Sequence, residues 1–208
     1  MALFIAFEGG EGCGKSVQAK ELLRRLSQLA IPALLTHEPG GTPFGKKLGR
    51  WLKWAQEADI SPLTELMLFN ASRAQLVAEV IQPNLKSGKV VISDRYADST
   101  TAYQGYGRGL ELAMVKATNN AATQGLKPEL IILLDIPVEE GLARKQAKKQ
   151  DRFEREALAF HQRVREGYLK LAAAEPGRWL VVDASQSKRK IADIIWQRVN
   201  QLLSSRGG

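Results

Sequence analysis

The chain has 208 residues, of which 44% are apolar and 25% charged, with one cysteine and a formal charge of +8. This is the composition of a single globular domain with a sizeable core, and it excludes disorder, collagen, disulfide scaffolds and Cys-based zinc clusters. The excess of 30 basic over 22 acidic residues suits an anionic partner, nucleic acid or a phosphorylated small molecule, and by itself chooses neither. No apolar run approaches the roughly 18–20 residues of a membrane span. Met1 to Phe7 lacks a basic start and meets Glu8 at once, so it is not expected to be a signal peptide. A lone Cys13 fits a reducing, cytoplasmic setting.

Short apolar runs alternate with helical periodicity. Phe4 to Phe7 reads as a first strand, followed by a helical stripe of Leu22, Leu23, Leu26, Leu29 and Ala30. Ala33 to Thr36 is a second strand, and Leu48, Trp51, Leu52 and Ala55 mark a second helix. Ser61 as N-cap and Pro62 as first helical residue open a long helix to about Leu85. Its expected core stripe is Leu66, Met67, Asn70, Ala74, Val77 and Ile81. Val90 to Ser93, Leu130 to Leu134 and Trp179 to Val182 complete five strands, and Ile191, Ile194, Ile195 and Leu202 mark a last helix. The strands do not alternate polar with apolar, so both faces are expected to be buried, as in a parallel sheet covered by helices. The order predicts a three-layer α/β domain with right-handed crossovers.

The strongest motif is Gly9-Gly10-Glu11-Gly12-Cys13-Gly14-Lys15-Ser16, which fits G-x-x-x-x-G-K-[ST] directly after a strand and opening a helix. Glycines let successive backbone N–H groups face one anion, and the helix N-terminus adds partial positive charge. Lys15 can reach the β- and γ-phosphates of a nucleoside triphosphate, and the Ser16 hydroxyl can hold Mg²⁺. No N-K-x-D base-reading motif of GTPases is present in the sequence.

Asp94-Arg95-Tyr96 follows the third strand. An acid at the C-terminal end of a parallel strand faces the ligand crevice, so Asp94 can organise Mg²⁺, and Arg95 can clamp a phosphate bidentately. Phe69 and Arg73 share a helix face, where an aromatic plane and a guanidinium can stack on and hydrogen-bond a base. Taken alone, Phe69 reads first as a core residue. Two stretches, Glu38 to Thr42 and Ser99 to Gly109, read as loops rich in ligand chemistry. Arg144 to Arg155 holds six basic residues in twelve, a solvated basic helix or a mobile lid.

Together these segments resemble the thymidylate kinase family over nearly the whole chain. The resemblance rests on the phosphate loop, Glu38-Pro39-Gly40-Gly41-Thr42, Phe69 to Arg73, Asp94-Arg95-Tyr96 with the polar stretch after it, and Asp151-Arg152-Phe153-Glu154. It implies one P-loop nucleoside monophosphate kinase domain over residues 1–208, with a lid at about 144–155. It further implies ATP- and Mg²⁺-dependent conversion of dTMP to dTDP in dTTP biosynthesis, and a homodimer. By resemblance, Glu11 holds the dTMP 3′-hydroxyl and Glu38 belongs to the substrate site. Phe69 stacks on thymine, Arg73 bonds its O4 and Thr100 faces its N3 edge. Tyr103 crowds the 2′ position, Gln104 lines the site, and Arg95 holds the dTMP phosphate. Ser185 and Gln186 lie near the adenine. The phosphate loop carries no arginine, which resembles the bacterial group whose catalytic arginine is in the lid. Arg152 is the first candidate there and Arg144 the second. His37 and Gly49 stand where the family pattern has arginine, with Arg50 one position on.

Two other functions compete. A P-loop kinase for another nucleotide or a deoxynucleoside differs at Phe69, Arg73 and Thr100. An ATP-switched nucleic-acid-binding ATPase calls for a basic stripe with interleaved aromatics, and the 144–155 segment contains Phe153 alone. No nucleic-acid or membrane partner is expected.

Overall fold

The computed structural model describes residues 2–54, 60–145 and 150–205. In chain order these form β1 (Leu3–Glu8), α1 (Lys15–Gln28), β2 (Ala33–His37), α2 (Pro43–Trp54), α3 (Pro62–Leu76), α4 (Gln82–Lys86), β3 (Val90–Asp94), α5 (Ala97–Thr100), α6 (Leu112–Thr123), β4 (Leu130–Asp135), α7 (Val138–Ala143), α8 (Leu158–Ala174), β5 (Trp179–Asp183) and α9 (Lys188–Ser204). Two π-helical segments, Val77–Ile81 and Thr101–Gly107, join α3 to α4 and follow α5.

All five expected strands form one parallel sheet in the order β2-β3-β1-β4-β5. Alternate residues of β1 serve two cores. Leu3, Ile5 and Phe7 pack with Ala19, Leu22 and Leu26 of α1 and Ile191, Ile195 and Val199 of α9. Phe4 and Ala6 face Leu76, Val77 and Ile81 together with Phe160, Val164 and Tyr168 of α8. The result is the expected three layers, each apolar face covered by helices. β1 leads to β2 on one side of it, and β3 leads to β4 on the other. The crevice at the C-terminal ends of β1 and β3 therefore lies where the winding reverses, the usual ligand site of such sheets.

Four expectations are corrected. Burial on both faces holds for β1, β3 and β4, whereas β2 and β5 are edge strands, and Val181 on β5 is 48% exposed. The long helix does start at Ser61, whose hydroxyl accepts from the Thr64 N–H, but its 77–81 stretch widens to a π turn, and Met67 is exposed on its outer face. Leu29 and Ala30 lie past the end of α1, with Ala30 at φ 55°. Residues 97–107 are helical, not a loop. Gly107 gives the reason: a Cβ there would sit 2.7 Å from Phe160, so the close approach of α8 shapes this segment. Ala55 of the second helical stripe lies outside the described residues.

Candidate active site

The phosphate loop turns through left-handed glycines, Gly12 at φ 68° and Gly14 at φ 91°, before α1 begins at Lys15. A Cβ on Gly12 would lie 1.9 Å from the Gly141 carbonyl, so only glycine lets the loop rest on α7. Lys15 is buried, and its Nζ donates to the carbonyls of Gly9 (3.0 Å) and Gly10 (2.8 Å) and reaches the Cys13 sulfur at 3.5 Å. Ser16 Oγ hydrogen-bonds the Asp94 carboxylate, so the two residues expected to hold the metal meet across β1 and β3. These are hard oxygen donors of the kind Mg²⁺ takes. Among the described residues no cluster of three or more His, Cys, Asp or Glu offers an all-protein metal cage.

Arg95 links this loop to a second cleft. It holds φ 74°, a strained value for a non-glycine residue, and is fixed there by Arg95 N–H donating to Phe7 O (2.9 Å) and Ser93 Oγ donating to Arg95 O (2.6 Å). Its guanidinium donates to Gly9 O, Ser99 Oγ and Tyr168 OH, each at 3.2 Å, to Glu11 Oε1 at 2.8 Å and to Tyr103 OH at 3.0 Å. Burial alone would raise the Glu11 carboxyl, but Arg95, then Lys15, the Tyr103 bond and Lys145 outweigh it and hold it at about 2. Beneath lies Glu8, fully buried, accepting from Tyr96 N–H (2.8 Å), Ser99 Oγ (2.6 Å) and Tyr168 OH (2.9 Å). Burial pushes its carboxyl up against those bonds.

The second cleft is an open hollow lined by Glu11, Glu38, Phe69, Arg73, Arg95, Thr100, Tyr103 and Gln104, with Lys145 and Phe153 from the 144–155 segment. Every residue expected at the acceptor site is therefore on its wall. Phe69 lies 5.7 Å from the Phe153 ring, centroid to centroid. Arg73 is 1% exposed and donates to Glu38, Asn70, Thr100, Asn119 and the Tyr96 carbonyl. Thr100 Oγ1 bonds Asn119 Oδ1 at 2.7 Å, and Gln104 Nε2 donates to Glu65 Oε1 at 2.6 Å.

The basic residues of the 144–155 segment separate. Arg144 Nη1 donates to Ala184 O (3.2 Å), beside Ser185 and Gln186 on the loop after β5, which are tied to Asp183 and stand apart from the acceptor cleft. Arg152 bonds Glu65 and the Leu52 carbonyl and is not on the cleft wall. Lys145 is: its Nζ lies 2.6 Å from Glu154 and 3.8 Å from Glu11. The described part of the 144–155 segment runs in turns, not as a basic helix; Lys148 and Lys149 lie outside the described residues. Gly49 is buried against Pro39, where a Cβ would come within 3.1 Å, and Arg50 is exposed, so Arg50 does not stand in for an arginine at 49.

Glu8, Glu65, Asn119 and Tyr168 escaped sequence reasoning, and Lys145 was read there only as one of the basic residues of the 144–155 segment. Glu8 alone carried a signal, an acid at a strand's C-terminal end like Asp94.

A phosphate loop facing a cleft of cations and hydrogen-bonding groups, with Arg95 shared between them, is the arrangement of a nucleoside monophosphate kinase, a phosphotransferase whose acceptor is itself a phosphate. The thymidylate kinase family model matches residues 7–195, and the chain belongs to that family. It is 57% identical to a thymidylate kinase of Dehalococcoides mccartyi over 203 residues, 98% of each chain, and 46% identical to one of Trichlorobacter lovleyi over 93% of this chain and 94% of that one. The crystal structure of thymidylate kinase from Ehrlichia chaffeensis is similar with a TM-score of 0.73 and 31% identity, covering 87% of this chain and 92% of that chain.

Proposed function

We propose that the chain carries out the reaction of its family, phosphorylation of dTMP to dTDP, with ATP as donor and Mg²⁺ as the metal. The observation that carries this reading is Arg95, whose guanidinium touches the phosphate loop at Gly9 and lines the acceptor cleft. An acceptor phosphate held there stands next to the donor phosphates, which supplies alignment and charge, the two things phosphoryl transfer needs. Gly9 to Ser16 cradle the ATP phosphates and Lys15 turns from its loop carbonyls onto them. Ser16 and Asp94 hold Mg²⁺, which neutralises phosphate charge. Glu11 and Tyr103 meet the sugar, Phe69 stacks on the base, and Arg73, Thr100 and Gln104 face its edge, with Glu38 holding Arg73. Ser185 and Gln186 flank the adenine.

In the same reading residues 1–208 are one domain whose 144–155 segment closes over the phosphates, bringing Arg152, Arg144 or Lys145 to the transferring group. The protein works in the cytoplasm; among the described residues no helix is long and apolar enough to cross a membrane. A homodimer is supported by Phe44 and Trp51 of α2 and Leu63 and Met67 of α3, large apolar side chains 43–48% exposed on two helices packed together.

A coupled assay with dTMP, dUMP, dCMP, dGMP and thymidine tests the reading. Transfer to dTMP at least tenfold above dCMP, dGMP and thymidine is expected; a better acceptor elsewhere in the panel overturns it. Sedimentation velocity tests the dimer.

A further inference from the structure

Glu65 lies on α3, is 0% exposed, and is not on the cleft wall. Its carboxylate nevertheless gathers donors from two distant elements. Oε1 accepts from Gln104 Nε2 at 2.6 Å and Arg108 Nε at 3.2 Å; Oε2 accepts from Arg108 Nη2 at 3.3 Å and from Arg152 Nη2. Arg108 is itself shared with Glu156 at 2.7 Å.

A side-chain amide has a donor end and an acceptor end, and one that is free to flip reads both kinds of base edge. A carboxylate offers acceptors only. Bonded to Glu65, the amide of Gln104 turns its NH₂ inward, and its carbonyl Oε1, which takes no bond from any described residue, is left for the cleft that Gln104 lines. Other polar groups at this end are committed: Thr100 Oγ1 to Asn119 and the Ala97 carbonyl, and the Arg73 guanidinium to five partners.

We propose that Glu65 is a positioning residue for acceptor choice: by fixing the Gln104 amide with its carbonyl toward the cleft, it selects a pyrimidine that carries a ring N–H, as thymine and uracil do, over cytosine. This deepens the acceptor reading above and rests on it. An imide N–H donates to a carbonyl oxygen. Cytosine sets a bare ring nitrogen there, lone pair against lone pair, in a site where an unmatched polar group is costly. The two guanidiniums keep the buried carboxylate from being stranded without a counter-charge. Because Arg152 shares this carboxylate, turnover alone cannot report on base choice.

The test is steady-state kinetics with dTMP, dUMP and dCMP on the wild type, Glu65→Gln, Glu65→Asp, Gln104→Leu and the Glu65→Gln/Gln104→Leu pair. Glu65→Gln is expected to lower the dTMP-over-dCMP ratio of kcat/KM at least tenfold, chiefly through the KM for dTMP. The dTMP-over-dUMP ratio should hold within threefold, since those two share the imide edge. Glu65→Asp should lose less, Gln104→Leu as much, and the pair no more than either single variant. A merely structural carboxylate would lower stability and leave these ratios in place. An unchanged dTMP-over-dCMP ratio in Gln104→Leu overturns the proposal even where Glu65→Gln does not fold. A wild type without preference for dTMP overturns the acceptor reading itself, and this inference with it.

Discussion

Arg73 and Glu38 form an ion pair on the wall of the second cleft, 2.7 Å from Nη2 to Oε2, with side chains 1% and 4% exposed. The pair ties α3 to the segment after β2. Burial pushes the Glu38 carboxyl up, against the pull of Arg73, and among the described residues its Oε1 has no hydrogen-bond partner. A pair this deep contributes position more than net stability, but losing one partner strands the other.

Glu38→Ala is therefore expected to destabilise the fold by about 3–5 kcal/mol, the usual cost of uncovering a buried charge. Urea denaturation measures it. A loss under about 1 kcal/mol would show that Asn70, Thr100, Asn119 and the Tyr96 carbonyl suffice for Arg73.

Phe69→Ala is expected to weaken dTMP binding by about 1–3 kcal/mol, the range for base–aromatic stacking, with ATP binding little changed. Calorimetry with each nucleotide reads this directly. Unchanged dTMP affinity with a sharply lower Tm would make Phe69 a packing residue for Phe153 alone.

The cations of the 144–155 segment stand in three places: Arg144 by the Ala184 carbonyl, Lys145 on the cleft wall, Arg152 on Glu65. Arg152→Ala is expected to lower turnover by on the order of 10² with a much smaller change in dTMP affinity, because a lid arginine acts in the closed, reacting state. Single and paired alanine variants at 144, 145 and 152 apportion the effect. Near-normal turnover in the Arg144/Arg152 pair would shift the role to lysines, which neutralise charge without a bidentate fork.

Asp98, on α5, has its carboxyl pushed up to about 7 from an ordinary 3.8, by burial first and then by Glu8. A raised folded-state pKa means the folded protein keeps this proton while the unfolded chain releases it. Asp98 therefore lowers stability as pH rises from about 4 to 7, and its full cost is present above 7. Asp98→Asn should raise Tm relative to wild type at pH 8 and not at pH 4. Equal shifts at both pH values, followed by circular dichroism, would contradict this.

Five strands, the phosphate loop, the Ser61 cap and the acid at the end of β3 were legible in the sequence because each is a local pattern: an apolar run, a glycine spacing, a cap beside a proline. On the cleft wall, Arg95, Phe69 and Arg73 were legible from residue type and spacing, whereas the others were legible only through the family resemblance. Tertiary structure alone decided that β2 and β5 are edges, that 101–107 winds as a π-helix under α8, and that Arg144, Lys145 and Arg152 part company. It also decided which carboxylates sit beneath the site. Glu8 meets Tyr168 across 160 positions of sequence, and Glu65 meets Arg152 across 87. No window of sequence contains such a pair. A buried charge is tolerated only where the fold delivers its partners, so that part of the site exists only once the chain has closed on itself.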